Sequence, residues 1–356
     1  MKITGLYVYP IKGLRGIKLD SAQIGPQGIS HDRRFMLWEV KPSDGKLAKI
    51  QVDSHPKCAL FEQQIIPGSH EGEEAVITVR YLGSISESSP TAADDQPLTL
   101  PLEPDLSTLE KFNVNLHGSP AAAYRMGASY DTWFSARFGV STMLVYLGDG
   151  RRGIIGKTLL PKAARERQQQ QQQRGWITSL ASYITGSGAP DKDSEPWITF
   201  ADAAALLVTS EASLRDVRER LLGGLPVEMY KFRPNVVVDG EGEEPWAEDF
   251  WAELTIHRDG EHGDDTEEHK LELMGNCVRC TSLNVDYQTG KPAEGELGNV
   301  LKRLMKDRRV DPGSKWSPVF GRYAAPIGRG FTISVGDEVE VTQRNTERTV
   351  WDWPGL

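Results

Sequence analysis

The chain has 356 residues, of which 38% are hydrophobic and 26% are charged, and its net charge is -9. This composition excludes the fibrous and disordered classes, its length suits two domains, and its acidity argues against a dedicated nucleic-acid binder. No apolar run approaches the roughly 20 residues that cross a bilayer, and the amino terminus lacks a signal-peptide pattern. We therefore expect an intracellular protein without a transmembrane anchor.

The pattern in residues 1–148 predicts a β-rich domain. Short β-rich runs, ITGLYVYPIK, IKLDSAQIG and RRFMLWEV, are separated by prolines and glycines, and further strands are predicted at 74–82 and 96–103. The stretch SYDTWFSARFG predicts a helix that is capped by Asp131, with Trp133, Phe134 and Phe138 on one face. A strand, STMLVYLG, should follow this helix.

The character of the sequence changes at residues 149–197, which we predict to be a loop-like insertion or linker. Six consecutive glutamines at 168–173 lie among basic residues, and GSGAPDKDSEP ends the stretch. Within it, WITSLASYI places apolar residues on one face of a short helix. The favoured interpretation is a surface loop. The alternative is that residues 160–192 make a weak, salt-sensitive contact with an anionic membrane or an acidic redox partner.

Periodicity returns in residues 198–345, which we predict to be a second β-rich domain. FADAAALLVTSEASLRDVRERLLGG predicts a strand and then a helix that begins at Ser210 or Ser213 and ends at two glycines. WAELTIHRDG, HKLELMG, SPVFGRYAAP and FTISVGDEVEVTQRN predict strands. The basic stretch LKRLMKDRRVD predicts a short exposed helix or a surface for an acidic electron donor. The expected fold class is mixed α+β, with two β-barrel-like parts and a site between them.

The motif GNCVRCTSLN places Cys277 and Cys280 three residues apart, and the remaining cysteine, Cys58, has no cysteine beside it. Three cysteines cannot form a disulfide framework, and a zinc site would need a second pair. The following TSLNVDYQTG predicts a strand running into a turn, whereas a thioredoxin-like dithiol begins a helix. Two interpretations stay open: a pair of buried apolar cysteines, or one thiolate that is the single protein ligand of a soft metal held by an organic cofactor.

Such a cofactor carries phosphate, and basic turns suited to an anion occur in three places. YPIKGLRG offers Lys12 in a glycine-containing turn, HDRRFML offers Arg33 at the start of a strand, and KFRPN offers Arg233 and Asn235. Each alone is typical of a solvated surface. Their combination with the cysteine motif is far less common.

These motifs, in this order, resemble the MOSC family, the carboxyl-terminal domain type of molybdenum cofactor sulfurases, together with its amino-terminal β-barrel companion. The resemblance rests on YPIKGLRG, DRRFM, FADAAALLVTSEASL, FRPNVVV, AEDFW, NCVRCTSLNVDYQTG, SPVFGRYA and ISVGDEVEV, and it covers residues 1–40 and 198–342. Within the family, the chain is most similar to the mitochondrial amidoxime-reducing members and their bacterial relatives. Pyridoxal phosphate is associated only with the sulfurase branch.

The resemblance implies that Cys280 is the molybdenum ligand and that Cys277 is a non-ligating neighbour. The other site residues are Lys12, Arg33, Arg233 and Asn235 around the pterin and its phosphate, Arg279 beside the thiolate, Arg308 as the family's arginine before an aspartate, and Asp249 as an acidic catalytic residue near the site. Gly13 and Ala204 stand where relatives often have a hydroxyl residue. Contacts from those side chains must be lost or made by the backbone.

The implied reaction is the two-electron reduction of N-hydroxylated compounds, amidoximes and hydroxylamines, on a molybdenum–molybdopterin cofactor, with the oxygen leaving as water. The sequence has no flavin or nicotinamide fingerprint, so another protein must supply electrons. In animal relatives this is cytochrome b5 with its reductase. The resemblance implies a location in the cytoplasm or at the mitochondrial surface. Two alternatives are a cofactor carrier or sulfur-transfer module without turnover, and a scaffold that binds no cofactor.

Overall fold

The computed structural model describes residues 1–70, 73–83, 96–178, 195–259 and 266–354. Its strands are β1 (Lys2–Val8), β2 (Ile17–Leu19), β3 (Ser21–Gly25), β4 (Gly28–Ile29), β5 (Phe35–Val40), β6 (Leu47–Lys49), β7 (Phe61–Ile66), β8 (Val76–Tyr81), β9 (Leu98–Pro101), β10 (Glu110–Leu116), β11 (Ser119–Arg125), β12 (Thr142–Tyr146), β13 (Arg152–Gly153), β14 (Trp197–Ile198), β15 (Leu206–Ser210), β16 (Val236–Asp239), β17 (Trp251–Asp259), β18 (Thr266–Val278), β19 (Val285–Asp286), β20 (Lys291–Pro292), β21 (Val319–Ile327), β22 (Phe331–Ser334) and β23 (Glu338–Arg344). Its α-helices are α1 (Ala128–Phe138), α2 (Lys162–Thr178), α3 (Glu211–Glu219) and α4 (Val300–Leu304). Short 3-10 helices are Pro56–Leu60, Leu106–Thr108, Met229–Phe232, Ala247–Phe250, Thr281–Asn284 and Leu297–Asn299.

A closed barrel of seven strands forms one half of the molecule. Its strands follow the order β16-β15-β21-β18-β17-β23-β1, and β1 pairs with β16 to close the ring. The first strand of the chain is thereby bonded to strands from its far end, with Lys2 opposite Glu338. The barrel packs around a hydrophobic core that includes Ile3, Leu6, Val208, Val236, Trp251, Ile256, Leu271 and Ile333. The division of the chain at residues 148 and 198 stays a prediction.

Two smaller sheets form a half-barrel beside the closed barrel. One sheet has the order β10-β11-β12-β5-β6 and the other the order β7-β8-β9. Helix α1 packs Phe134 and Phe138 against Phe61 of β7, with ring centroids 5.7 and 4.7 Å apart. Aromatic pairs at these separations add to the free energy of burial. The prediction of a mixed α+β fold with two barrel-like parts is confirmed.

The predicted helix around Trp133 is present, but Asp131 does not cap it. The helix begins at Ala128, and its cap is Gly127, whose φ of 110° is readily adopted only by glycine. The Asp131 carboxylate instead accepts a hydrogen bond from Leu144 N at 2.8 Å. This carboxylate therefore ties α1 to β12, a tertiary contact that local capping preferences cannot predict.

The prediction of loop-like structure at 149–197 is wrong for part of that stretch. The glutamines belong to α2, and glutamine favours a helix when no packing opposes it. β13 and β14 pair with each other, so Arg152 lies opposite Ile198 and the two ends of the stretch meet. Residues 179–194, which include most of the predicted WITSLASYI helix, lie outside the described residues.

Two local predictions concern the elements that flank the site. Ser210 caps α3, since its hydroxyl oxygen accepts from Ala212 N at 3.2 Å, and the alternative cap at Ser213 is wrong. The segment after Cys280 is a 3-10 turn, Thr281–Asn284, and only a two-residue strand follows it. Among the described residues, no helix has both the length and the apolar character needed to span a membrane.

Candidate functional site

Two adjoining cavities meet at Cys280, with volumes of about 280 Å³ for the outer cavity and about 100 Å³ for the inner one. The half-barrel region contributes Lys49 and His117 to the outer cavity, and the end of β18 contributes Val278. The site therefore lies where the two parts of the fold meet. Both cavities are lined by Arg33, Asp202, Arg233, Val278, Arg279, Cys280, Ser282 and Tyr323.

The structure distinguishes the three cysteines by exposure. Cys280 is exposed, and its thiol lies 3.2 Å from the hydroxyl oxygen of Ser282. Cys277 is buried, and its sulfur accepts a hydrogen bond from Arg279 Nη1 at 2.9 Å. Cys58 is buried too, and this burial raises the pKa of its thiol. Of the three thiols, Cys280 has the access that a ligand of an incoming group needs.

Five cationic side chains line the outer cavity together with Cys280. The sequence predicted four of them, Lys12, Arg33, Arg233 and Arg279, and it missed Lys49. Arg33 and Arg233 both lie near the ring of Tyr9, with their guanidinium carbons 4.6 and 4.4 Å from its centroid. Both arginines have left-handed backbone, with φ of 51° and 56°, which is uncommon for residues other than glycine. Such conformations cluster at functional sites, where the surrounding structure enforces them.

Two buried N–H groups in this cluster have no hydrogen-bond partner among the described residues. They are Nη2 of Arg233 and Nε of Arg279. A buried donor without a partner costs free energy, and native proteins rarely leave one unmatched. These donors therefore fit a ligand that carries anionic oxygen acceptors.

Asn235 supports the cluster from behind. Its Oδ1 accepts from Arg33 Nη1 at 3.2 Å and from Leu207 N at 3.1 Å, while its Nδ2 donates to Tyr7 O at 3.2 Å. Its polar atoms are thus engaged within the protein. The structure assigns Asn235 to orienting Arg33, although it also lines the inner cavity.

The main site residue that sequence reasoning missed is Asp202, whose side chain is 44% exposed. Its carboxylate accepts from Lys12 Nζ and lies 3.3 Å from His117 Nε2. Burial alone would raise the pKa of Asp202, but the charges of Lys12 and His117 outweigh it and hold that pKa well below its usual range. Burial lowers the pKa of Lys12 to about 8 in spite of the ion pair. The sequence signal that could have identified this residue is that Asp202 is the one acidic residue in the otherwise apolar stretch FADAAALLV.

Residues far along the chain hold the Asp202 loop in place. Arg152 is fully buried and donates to the carbonyl oxygens of Thr199, Ala201 and Asp202. Trp353, near the end of the chain, donates from Nε1 to the carbonyl oxygen of His117 at 3.0 Å. No local pattern connects these residues, so the sequence offered no signal for them.

The structure places Asp249 and Arg308 outside both cavities. The Asp249 side chain is fully buried and accepts from Arg308 Nη2 at 2.7 and 3.0 Å and from Arg348 Nε at 2.8 Å. Its backbone oxygen accepts from Arg322 Nη1 at 2.9 Å. This geometry differs from the expected catalytic and cofactor-binding roles, because both side chains are occupied with each other. They form a buried ion-pair cluster that joins the turn before β17 to β21 and the carboxyl-terminal segment.

The Gly13 and Ala204 departures also have a structural basis. Gly13 lines the outer cavity with a φ of 92°, where any side chain would strain the backbone. Ala204 lines the inner cavity. A larger groove of about 820 Å³ lies elsewhere on the surface, and its lining includes five carboxylates and no cysteine. Its charge is wrong for an anionic ligand.

Comparison with known proteins agrees with this arrangement. Residues 195–340 match the MOSC domain, and residues 1–141 match the MOSC N-terminal beta barrel domain. The chain is 36% identical over 343 residues to mitochondrial amidoxime-reducing component 1 of Homo sapiens, covering 95% of the chain and 82% of that protein. It is 27% identical over 343 residues to the protein of that name in Mus musculus, covering 95% and 81%. A molybdenum cofactor sulfurase of Oryza sativa is 25% identical over 296 residues, 81% of this chain but 29% of the sulfurase.

The fold and site thus define a two-part barrel protein that presents one exposed thiol in a basic cavity. The chain belongs to the MOSC-domain family, and its relatives include amidoxime-reducing components and molybdenum cofactor sulfurases. It is therefore a protein related to the molybdenum cofactor, and the family resemblance seen in the sequence is confirmed.

Proposed function

We propose that this protein is a molybdenum-cofactor-dependent reductase that removes oxygen from N-hydroxylated compounds. The observation that carries the proposal is the exposed thiol of Cys280 in a cavity bordered by five cations, two of which have unmatched buried donors. The names of the amidoxime-reducing relatives support this reaction, and their identity to the chain reaches 36%.

The residues present fit an anionic cofactor that needs one thiolate. Cys280 would ligate the metal, since a soft metal is well held by sulfur. The unmatched donors of Arg233 and Arg279 would bind phosphate or pterin oxygens through charge-assisted hydrogen bonds. Asp202 would accept hydrogen bonds from the N–H groups of a pterin. When bound, the cofactor supplies the two-electron oxygen-transfer chemistry.

The chain's own residues would bind and orient the substrate, and they would hold and transfer protons. The balanced reaction converts R–NH–OH, two electrons and two protons to R–NH2 and water. Arg279, whose Nη1 donates to the sulfur of Cys277, places a positive charge in the cavity beside Cys280. Lys12, with a pKa of about 8, carries a transferable proton at neutral pH, and Asp202 keeps it directed at the site. The outer cavity of about 280 Å³ limits the substrate to a small molecule.

The electrons would come from a one-electron carrier protein. By analogy with the amidoxime-reducing relatives, we propose cytochrome b5 and its reductase as the donor system. Those relatives are named as mitochondrial, and we propose that this chain lies at the mitochondrial surface.

A second candidate function is a cofactor carrier or sulfur-transfer module without turnover. The sulfurase relatives favour it, because the aligned part is less than a third of the rice sulfurase. Such a module would share the cavity and the thiol but would have no need of a substrate.

One experiment separates these candidates. The protein is purified from cells able to make the cofactor, its molybdenum and pterin contents are measured, and reduction of benzamidoxime is followed with reduced methyl viologen as donor. Molybdenum with turnover supports the reductase. Molybdenum without turnover of any N-hydroxylated compound supports the carrier, and absence of both metal and turnover would contradict each proposal and favour a scaffold.

A further inference from the structure

A patch of positive charge lies on α4 (Val300–Leu304), on the turn that follows it and on the loop at residues 309–318. We call it the basic rim, and it consists of the exposed residues Lys302, Lys306, Arg309 and Lys315. Within the described parts of the chain, none of the ion pairs involves these four side chains. The chain as a whole has a net charge of -9, so the rim stands out against an acidic background.

The same loop carries Trp316, which is 80% exposed and is the most exposed large hydrophobic residue in the described structure. The loop is firmly held. Val319 N donates to Arg308 O at 2.8 Å where the loop closes, and Asp311 Oδ1 accepts from both Gly313 N and Trp351 N at 2.9 Å. Tryptophan is one of the residues that most often contribute the largest share of binding free energy in protein interfaces.

The basic rim adjoins the Cys280 cavities. Ser317, next to Trp316, lines the outer cavity, and Pro318 O accepts from Arg279 N at 2.8 Å. On the other side, the turn that directly follows Cys280 is bonded to α4, since Leu301 N donates to Asn284 Oδ1 at 3.0 Å. A protein bound on the rim would therefore sit at the edge of the site.

We propose that the basic rim, with Trp316 as its anchor, is the docking surface for an acidic one-electron donor protein. This inference rests on the proposed reductase function, which needs electrons at Cys280. Opposite charges speed encounter and set orientation, while a buried indole supplies much of the binding free energy. We favour an electron-donor protein over a lipid surface because the rim borders the cavity. A donor bound there would transfer its electrons to the site over a short distance.

The test uses the cofactor-loaded full chain and a soluble cytochrome b5 haem domain as the acidic probe. The variants are Trp316→Ala and the double charge reversal Lys315→Glu with Arg309→Glu. The matched control is Arg329→Glu, since Arg329 is also exposed and lies beyond Ile327, at the far end of β21 from the cavity. Calorimetry measures binding, and turnover is measured with the cytochrome and, separately, with methyl viologen.

Both rim variants should raise the Kd and the KM for the cytochrome about 10- to 30-fold, as expected for loss of a central contact. The viologen-driven rate should stay at the wild-type value, and the control should change by less than about twofold. The charge reversal should also flatten the dependence of cytochrome binding on salt.

Three results would overturn the docking surface. They are unchanged cytochrome binding in both rim variants, an equal loss in the Arg329→Glu control, and loss of binding to phosphatidylserine vesicles with cytochrome binding intact. The last would identify the rim as a lipid contact. Failure of the wild-type enzyme to turn over with methyl viologen would instead count against the reductase itself, so the two failures are distinguishable.

Discussion

Two clusters of charged residues differ in whether a cavity opens beside them. Around Asp249, the carboxylate oxygens accept from two arginines, and the carboxylate itself is fully buried. Around Cys280, five cations and only two carboxylates, Asp53 and Asp202, line the outer cavity, and buried donors of Arg233 and Arg279 stay unmatched. Charge alone therefore does not identify the site. A cluster that borders no cavity stabilises the fold, whereas one that lines an open cavity has room for a ligand.

The largest expected effect separates the two cysteines of the motif. We expect Cys280→Ala to abolish activity and most molybdenum retention, because it removes the exposed thiol. Cys277→Ala is the matched control and should keep most of both, since its sulfur is buried against Arg279. Metal analysis and benzamidoxime reduction measure the outcome. Similar behaviour of the two variants, or an essential Cys277, would show that the ligand is assigned wrongly.

A second prediction compares the two carboxylates directly. Asp249→Ala should lower the free energy of unfolding by about 3–5 kcal/mol, because it leaves Arg308 buried without a counter-charge. Asp202→Ala, in the half-open cavity, should change stability much less but reduce cofactor retention. Urea unfolding and metal content per folded protein measure the two effects. If the Asp249→Ala protein were as stable as the wild type but contained no molybdenum, Asp249 would have to be assigned to the cofactor site.

The third prediction concerns Glu248, which is fully buried beside Asp249 and has one oxygen without a partner. Burial raises the pKa of Glu248 to about 7. Between about pH 4.5 and pH 7, Glu248 is protonated in the folded state but ionised in the unfolded state. The free energy of unfolding therefore falls as the pH rises through this range.

Glu248→Gln mimics the protonated acid, so we expect it to match the wild type near pH 4 and to be more stable by roughly 3 kcal/mol at pH 8. The exposed residue Glu110 offers a control, and Glu110→Gln should show no such pH-dependent gain. Unfolding curves across this pH range measure the difference. A constant offset at every pH would mean that Glu248 stays ionised in the folded protein.

The smallest expected effect tests the cations of the cavity. Arg33→Ala or Arg233→Ala should weaken cofactor retention by about 10- to 150-fold, because a charge-assisted hydrogen bond contributes about 1.5–3 kcal/mol. Arg34→Ala is the control, since Arg34 donates to Gly148 O and does not line the Cys280 cavities. Retention is measured as pterin remaining after dialysis. Full retention in both variants would mean that these arginines serve the fold alone.

Some features of this protein follow from local sequence. Alternating apolar residues and glycine-rich turns indicated the strands, and the strand-to-helix step at Ser210 was visible in its cap. The cysteine motif and the basic turns with Lys12, Arg33 and Arg233 were recognisable because each is a short contiguous pattern. Local patterns failed where packing decides. Asp131 bonds to β12 instead of capping its helix. The glutamine helix is a different case, because the helix propensity of glutamine is itself a local signal.

Tertiary structure alone decided which charged residues share a site. Lys12 and Asp202 are 190 residues apart in the chain, and Trp353 and His117 are 236 apart, yet each pair is in contact because the first strand and the last segment both close onto the barrel. The sequence placed Asp249 and Arg308 at the site, and only the fold shows them buried against each other. Whether a charge faces a cavity or an opposite charge depends on which distant segments the closed barrel brings beside it, and no local pattern contains that information.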